Sequence, residues 1–363
     1  MTHKGQRVIA LDMFRGLALA AMILVNSPGN WGYVYPQLLH SFWHGFTLTD
    51  IVFPSFLFMV GVTSYLSRNA HAGEANSVFL LSVLNRASIL VLIGYALNAL
   101  NAFSYDADFI RVFGVLQRIG ICYLLGNVLL CYLNVRALPY VIGIVLLIYT
   151  LLLQYFGGDN AFSLQGNVVR SLDMEVIGAD RMWSHGGQAF DPEGLLSTLG
   201  ALATFLFGYL SAGHWFSAAN QIKLIKKLSL IGLGLLLFGL LLTSYIPLNK
   251  NLWTASFVLV SAAACYFILV LCLVIADVLS LRWISEPFRR LGSNSLLIYI
   301  LSWLLTIALS KFELFDTPLV HYLWQKMAIF DPYFASFAVA LAQLCVLWVL
   351  ANCLYLKRWF LKI

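Results

Sequence analysis

Apolar runs of about 20 residues recur along the whole chain, and this feature constrains its fold most strongly. A helix of that length spans a bilayer core about 30 Å thick. Hydrophobic residues form 61% of the chain and charged residues 10%, whereas soluble globular proteins carry about a quarter charged residues. Because the runs are continuous and do not alternate, they predict helices. We expect an all-α, polytopic membrane helical bundle.

The apolar runs predict about ten transmembrane helices, with both termini in the cytoplasm. Lys and Arg are more frequent in the segments that this orientation assigns to the cytoplasm, as positively charged loops usually are. The net charge of +6 therefore reflects topology, and no nucleic-acid partner is expected. The predicted spans are Val8–Asn26, Thr47–Leu66, Val78–Ala99, Val112–Leu133, Leu138–Phe156, Gly194–Trp215, Leu228–Ile246, Trp253–Leu279, Leu291–Leu309 and Tyr333–Tyr355.

We interpret residues 1–363 as one integral-membrane domain that carries an outer polar loop at about 157–193. This loop is too long for a simple connection and is expected to act as a lid or binding element. Its acidic residues suit an amine-bearing acceptor, although they can equally be solvated surface groups. Asp191 and Glu193 directly precede the sixth span, where acidic residues also stabilise a helix N-terminus.

The stretch from Asn26 to Phe58 holds the polar groups with the clearest chemical potential. His40 lies in a loop near Asp50, and a carboxylate can orient one imidazole nitrogen so that the other takes a proton. His44 follows four residues later and would share a helix face with His40. Two such histidines and an acid can bind a metal, but the spacing is weak and no metal is expected.

Charged and amide side chains inside or beside the other spans form a second group of site residues. Asp12 and Arg15 are three apart, so we expect an intramembrane ion pair that is either structural or in contact with an anionic cofactor. Arg is costly within a span unless it is paired or faces a cavity. The group is predicted to bind substrate or cofactor and comprises Asp12, Arg15, Asp50, Gln117, Arg118, Asp191, Glu193, Asn249, Lys250, Asn251 and Asn294.

Six motifs in this order cover nearly the whole chain: LDMFRGLALAAMILVN, HSFWHGFTLTDIVFPSFLFMVG, RVFGVLQRIGICYLLG, FDPEGLLSTLGALATFLFG, IPLNKNLWTASFVL and GSNSLLIYI. They resemble the transmembrane acyltransferase family of heparan-α-glucosaminide N-acetyltransferase, specifically its short bacterial relatives. The resemblance implies transfer of an acetyl group from acetyl-CoA to an amino sugar or related glycan at the outer side of a bacterial inner membrane. It places the active-site histidine at His40 and a partner asparagine at Asn26.

Three functions remain open from the sequence. The resemblance favours an N-acetyltransferase in which His40 is the base and the Asn26 amide donates to the oxyanion. An amino-sugar transporter would use the same residues for substrate or protons, although no inverted repeat is evident. An envelope-glycan O-acyltransferase would differ only in its acceptor. The expected partners are the acceptor and the lipid bilayer, and the sequence leaves a homodimer open.

Overall fold

The computed structural model describes residues 9–361, and most of these are helical. Eight helices are long and apolar enough to cross a membrane, or nine if one bent pair of helices forms a single span. Within the described residues, the α-helices are α1 Ile9–Asn26, α2 Val52–Ala70, α3 Asn76–Ser104, α4 Val115–Tyr132, α5 Leu138–Gly157, α6 Val168–Ile177, α7 Thr198–Phe216, α8 Gln221–Leu242, α9 Ala255–Leu273, α10 Arg282–Gly292, α11 Ser295–Lys311, α12 Leu319–Met327 and α13 Pro332–Leu356.

Short elements complete the fold. Two antiparallel hairpins pair strand β1 (Ser184–His185) with β2 (Gln188–Ala189), and β3 (Glu313–Leu314) with β4 (Thr317–Pro318). A 3₁₀ turn at Leu48–Ile51 leads directly into α2, and a π-helical turn at Val274–Val278 ends α9. The all-α prediction is therefore confirmed, and the hairpins are confined to connections.

The predicted spans agree with the helices, with two informative differences. Eight predicted spans coincide with apolar helices. The sixth corresponds to α7, which is helical and almost wholly buried but is not among the eight, since its Gly, Thr and His residues make it less apolar. The ninth corresponds to the pair α10 and α11, which bend by 73°. The orientation of the termini stays a prediction.

The chain divides into two compact units. The first comprises the described part of Met1–His40 together with Thr47–Val52 and Ile268–Ile363. The second comprises Ser41–Phe46 and Phe53–Phe267. The interpretation of residues 1–363 as one integral-membrane domain stays a prediction.

Helix α1 forms the centre of the first unit, and glycine lets α10 approach it closely. A Cβ atom added at Gly16 would lie 1.9 Å from the Phe288 carbonyl oxygen, and one added at Gly292 would lie 2.0 Å from that of Asp12. The two backbones thus touch at both points, as small residues permit between membrane helices. At the other end of α1, the Ser27 carbonyl accepts a hydrogen bond from Gln343 Nε2 at 3.1 Å.

Helix α7 occupies the centre of the second unit, which is why it needs no lipid-facing stripe. Its residues from Gly200 to Ala212 are buried. A Cβ atom at Gly208 would lie 1.9 Å from the Phe58 carbonyl oxygen, and one at Gly61 would lie 2.0 Å from that of Phe205. Helices α2 and α7 are therefore in backbone contact on two glycines.

Candidate active site

His40 and Asp50 form the hydrogen-bonded pair that the sequence predicted. His40 Nδ1 lies 2.8 Å from Asp50 Oδ1. The Asp50 side chain is fully buried, whereas the His40 side chain is 46% exposed. A buried carboxylate on Nδ1 stabilises the ring with its proton on that atom, so Nε2 presents a lone pair. This arrangement is that of a general base held by a carboxylate.

Thr47 positions the Asp50 carboxylate through its other oxygen. Asp50 Oδ2 accepts the Thr47 backbone N–H at 3.0 Å and the Thr47 hydroxyl at 3.1 Å. The sequence Thr47-Leu48-Thr49-Asp50 has the spacing of a capping box, in which an acid three residues after a threonine satisfies a free backbone N–H at a helix start. One carboxylate therefore both caps the turn that opens α2 and holds His40.

The backbone around His40 is fixed by the same turn. The Thr47 hydroxyl donates to the Leu39 carbonyl at 2.7 Å, and the Thr49 hydroxyl donates to the Gln37 carbonyl at 3.2 Å. Residues 39–47 contain no helix, and Gly45 has a φ of +126°. The expectation that His40 and His44 share a helix face is therefore wrong, because the chain turns within this segment.

Asn26 is the last residue of α1, and its side chain is exposed. Within residues 9–361, no hydrogen bond to the Asn26 side chain is formed. Its neighbour Ser27 is buried and anchored, since the Ser27 hydroxyl lies 3.2 Å from that of Thr306. Asn26 thus offers an amide from a rigid helix end, in the same unit as His40.

His44 contacts the segment between α8 and α9. Asn249 is fully buried, and its Nδ2 lies 3.3 Å from His44 Nδ1. Partial burial lowers the pKa of His44 below its ordinary value, which favours the neutral imidazole. Asn251 Nδ2 donates to the Phe42 carbonyl at 3.3 Å. Lys250 lies between the two asparagines, is half-buried, and accepts the Trp253 N–H through its carbonyl at 3.0 Å.

Asp191 and Glu193 are both bonded to Arg111. The guanidinium donates to the two Asp191 oxygens at 2.8 and 2.7 Å and to Glu193 Oε2 at 2.5 Å. Burial opposes charge on Arg111, but the two carboxylates outweigh it and raise its pKa above the ordinary value. Burial likewise opposes charge on Asp191, and Arg111 still holds the pKa of Asp191 below its ordinary value. Both acids are therefore engaged by the Arg111 guanidinium.

Arg118 and Gln117 lie buried at the start of α4. Arg118 Nη2 donates to the Gly194 carbonyl at 2.8 Å and to the Ser197 hydroxyl, and its guanidinium lies 5.4 Å from the Trp253 ring centroid. Gln117 Nε2 donates to the Val112 carbonyl at 3.2 Å. The expectation that Arg118 requires a partner is confirmed.

Asp173 adds a third carboxylate to this unit, and the sequence analysis did not select it as a site residue. Its Oδ1 accepts the Leu195 N–H at 2.9 Å, and burial raises its pKa to about 6. The side chain is fully buried. Position in the sequence does not reveal this, because Asp173 lies in the polar stretch 157–193 among exposed acids such as Asp159, Glu175 and Asp180.

Asp12, Arg15 and Asn294 lie in the first unit. Arg15 Nη1 donates to Asp12 Oδ1 at 3.0 Å, which confirms the predicted ion pair. Asn294 directly precedes α11 and clamps the C-terminal segment, because its Nδ2 donates to the Trp359 carbonyl at 2.6 Å and its Oδ1 accepts the Leu361 N–H at 3.0 Å.

Thr47 holds the Asp50 carboxylate but was not among the predicted site residues. Its capping-box spacing to Asp50 is the sequence signal that identifies it. In residues 9–361, no group of three or more His, Cys, Asp and Glu side chains has a metal-binding arrangement.

Comparison with known proteins bears on this arrangement. Residues 7–174 match the family described as heparan-alpha-glucosaminide N-acetyltransferase, catalytic. The chain is 29% identical over 353 residues to the human heparan-alpha-glucosaminide N-acetyltransferase, and this alignment covers 81% of the chain and 52% of that protein. It is 27% identical over 354 residues to the mouse protein, covering 82% of the chain and 53% of that protein. The chain is thus similar to these N-acetyltransferases over about four fifths of its length.

The family match contains both residues of the imidazole–carboxylate pair, together with Asn26. The chain spans about half the length of the curated N-acetyltransferases that it matches. With its eight apolar helices, the relationship identifies the chain as an integral membrane protein.

Proposed function

We propose that this chain is a membrane-bound N-acetyltransferase that moves an acetyl group from acetyl-CoA to the amino group of an amino sugar or related glycan. The observation that carries the proposal is the 2.8 Å contact between His40 Nδ1 and Asp50 Oδ1. It supports a general base inside the segment that matches the N-acetyltransferase family, whose named members act on a glucosaminide.

His40 would act by taking a proton from the acceptor amine. The amine nitrogen attacks the thioester carbonyl carbon, a C–N bond forms, and His40 Nε2 accepts the proton that the nitrogen loses. The C–S bond then breaks, and the departing thiolate takes the proton from the imidazolium to give CoA. Asp50 stabilises the imidazolium in between without becoming protonated, because its carboxylate is held by Thr47 and His40 together.

Asn26 is proposed to donate its side-chain N–H to the oxyanion of the tetrahedral intermediate. Its exposure at a rigid helix end supports this role, since a donor that is already fixed needs little rearrangement as charge develops. Loss of one such donor typically raises the barrier by about 3 kcal/mol.

The donor and acceptor are proposed to use opposite sides of the membrane. Acetyl-CoA is made in the cytoplasm, and Arg15 and Asn294 lie in spans or turns that the predicted orientation places towards that side. The acceptor would reach His40 from the outer side of a bacterial inner membrane, where the loops that carry Asn249, Lys250 and Asn251 are predicted to lie. Gln117, Arg118, Asp191 and Glu193 would then support those loops, and a homodimer is compatible with this proposal.

The test uses the purified full-length protein, acetyl-CoA labelled in its acetyl group, and a panel of amino sugars that includes glucosamine. We expect labelled N-acetyl product with the wild type and a loss of about 10³-fold in His40→Ala, because general base catalysis contributes 10²–10⁴-fold. His71→Ala provides the matched control, since His71 Nδ1 lies 2.8 Å from the Ser67 carbonyl oxygen and its ring packs against Phe79.

The outcomes separate the competing functions. Equal product from the wild type and His40→Ala would contradict the role of His40. Binding of acetyl-CoA with esters as the products would identify an O-acyltransferase. Sugar uptake into vesicles without any acetyl-CoA binding would contradict the enzyme and support a transporter.

A further inference from the structure

The segment Ser41–Phe46 is fixed in the second unit although it forms no helix or strand. The Gly45 N–H donates to the Leu248 carbonyl at 2.9 Å, and Trp43 Nε1 donates to the Phe162 carbonyl at 2.7 Å. Asn251 Nδ2 holds the Phe42 carbonyl at 3.3 Å. These bonds reach three separate positions in the segment, so its side chains are presented in a defined arrangement.

His44 presents a hydrogen-bond donor, and its tautomer follows from Asn249. The Leu252 backbone N–H donates to Asn249 Oδ1 at 2.8 Å, so the Asn249 oxygen is identified by its partner. The Asn249 Nδ2 is then the donor to His44 Nδ1 at 3.3 Å. A neutral imidazole that accepts at Nδ1 carries its proton on Nε2. The exposed edge of His44 is therefore an N–H group.

His185 presents the opposite group. Its Nε2 lies 2.6 Å from the Phe42 carbonyl oxygen, which can only accept a hydrogen bond. The proton is therefore on Nε2, and Nδ1 is an acceptor when the ring is neutral. His185 is the last residue of β1, and Gly186 and Gly187 make the tight turn to β2 with φ of +56° and +79°. Glycine pairs favour this two-residue hairpin.

Aromatic rings pack beside both imidazoles. Phe42 is 68% exposed, and its ring centroid lies 4.9 Å from that of His185. The Trp43 ring centroid lies 6.2 Å from that of His44 and 5.7 Å from that of His185. The hairpin turn packs on the Phe42 ring, because a Cβ atom at Gly186 would lie 2.9 Å from Phe42 Cζ.

We propose that Phe42, His44 and His185 form a subsite for the sugar ring of the acceptor. This inference rests on the proposed function and specifies which part of the acceptor is recognised. The apolar C–H face of the sugar would lie on Phe42, one hydroxyl oxygen would accept from His44 Nε2, and another hydroxyl would donate to His185 Nδ1. Aromatic surface with a few oriented polar groups is the usual composition of a small-molecule site.

The test measures acetyl transfer by the full-length protein to glucosamine and to ethanolamine, an amine without a ring. We expect Phe42→Leu and His44→Leu to raise the KM for glucosamine at least tenfold. Both variants should leave the KM for acetyl-CoA and the kcat/KM for ethanolamine within twofold of wild type. His44→Gln keeps an N–H donor and should recover most of the lost affinity. Phe109→Leu removes another exposed Phe of the same unit, which is 50% accessible, and serves as the matched control.

A second measurement does not depend on turnover. Saturation-transfer NMR with glucosamine and N-acetylglucosamine reports ring contacts to wild type and to Phe42→Leu. Signals that are lost in the variant support the subsite even if no amine is acetylated, an outcome that would contradict the proposed function alone. Equal signals in both proteins, or equal losses of kcat/KM for glucosamine and ethanolamine, would overturn the subsite.

Discussion

Asp50 in the first unit and Asp191 in the second are both fully buried carboxylates that hold a basic side chain, but they hold side chains of different chemistry. Asp50 contacts His40, whose ring is 46% exposed, and an imidazole can both accept and release a proton in proteins. Asp191 contacts Arg111 through two hydrogen bonds, and a guanidinium does not release its proton in proteins. Similar burial therefore accompanies opposite capacities for proton transfer.

The difference shows how to sort polar groups at the boundary of a membrane protein. A carboxylate bonded to Arg is satisfied on both sides and fixes two chain segments, here the residues before α4 and those before α7. A carboxylate bonded to an accessible imidazole leaves one proton that can move. We therefore assign the chemistry to the Asp50 pair and the support of the outer loops to the Asp191 pair, and four substitutions test this division.

Asp50→Asn is expected to have the largest effect, a loss of about 10³–10⁴-fold in kcat, with little change in Tm. The Thr47 N–H and hydroxyl both donate to Asp50 Oδ2, so the new amide would place its oxygen there and its NH₂ towards His40. His40 Nδ1 would then accept a hydrogen bond, and the ring proton would move to Nε2. A protonated Nε2 cannot act as the base.

Nitrogen-15 NMR of labelled histidine measures this change of tautomer directly. Asp159→Asn, a substitution in the outer loop before α6, is the control and should leave both the spectrum and the rate unchanged. Full activity in Asp50→Asn would show that His40 does not depend on this carboxylate.

Arg111→Gln is expected to lower stability by about 3–5 kcal/mol, because it leaves Asp191 and Glu193 buried without a cation. The measurement is thermal unfolding in detergent, followed by activity per folded molecule at low temperature. Arg181→Gln, an exposed arginine of the same unit, should change Tm by less than a degree or two. If Arg111→Gln instead abolished activity at unchanged Tm, Arg111 would take part in catalysis, and the assignment of a purely supporting role to the Asp191 pair would be wrong.

The sequence predicted most of the helices because membrane insertion depends on long apolar runs, which are local. Eight spans follow from this alone. It did not predict α10, because Arg282–Gly292 is rich in charged residues and resembles a cytoplasmic loop; only its close packing on Gly16 of α1 makes it part of the core. The break before α11 could not be located for the same reason.

Local spacing also predicted the pairs that lie close in sequence. Asp12 with Arg15 and His40 with Asp50 are separated by three and ten residues. The partners of Arg111 and Arg118 lie 80 and 76 residues away, so their pairing depends on how α4 and α7 pack. Polarity alone could show that these groups need partners, but it could not distinguish a partner in the chain from a bound substrate.

Asp173→Asn tests a buried carboxylate of the second unit that has no Arg partner. Within the described residues, Asp173 contacts no Arg within hydrogen-bond distance. Its pKa of about 6 in the folded protein exceeds the ordinary 3.8. The folded state therefore binds more protons between these values, and the free energy of unfolding falls as pH rises from about 4 to 7.

The asparagine keeps the acceptor for the Leu195 N–H and removes the buried charge. We expect a gain of up to about 3 kcal/mol at pH 7.5 and no gain at pH 4. Thermal unfolding at the two pH values checks this. The same gain at both values would show that charge burial is not the cause.

Thr47→Val is expected to have the smallest effect, about 1 kcal/mol in stability, because it removes one hydroxyl and keeps the side-chain shape. The backbone N–H of residue 47 still donates to Asp50 Oδ2, so the carboxylate stays in place but is less constrained. We therefore also expect kcat to fall three- to tenfold relative to the wild type.

Thr49→Val is the control for this substitution. It removes the hydroxyl that donates to the Gln37 carbonyl in the same turn, at a similar cost in stability. Since that hydroxyl does not touch Asp50, kcat should be unchanged. If both valine variants lowered kcat equally, the loss would come from loosening of the turn, and Thr47 would have no specific role in holding the carboxylate.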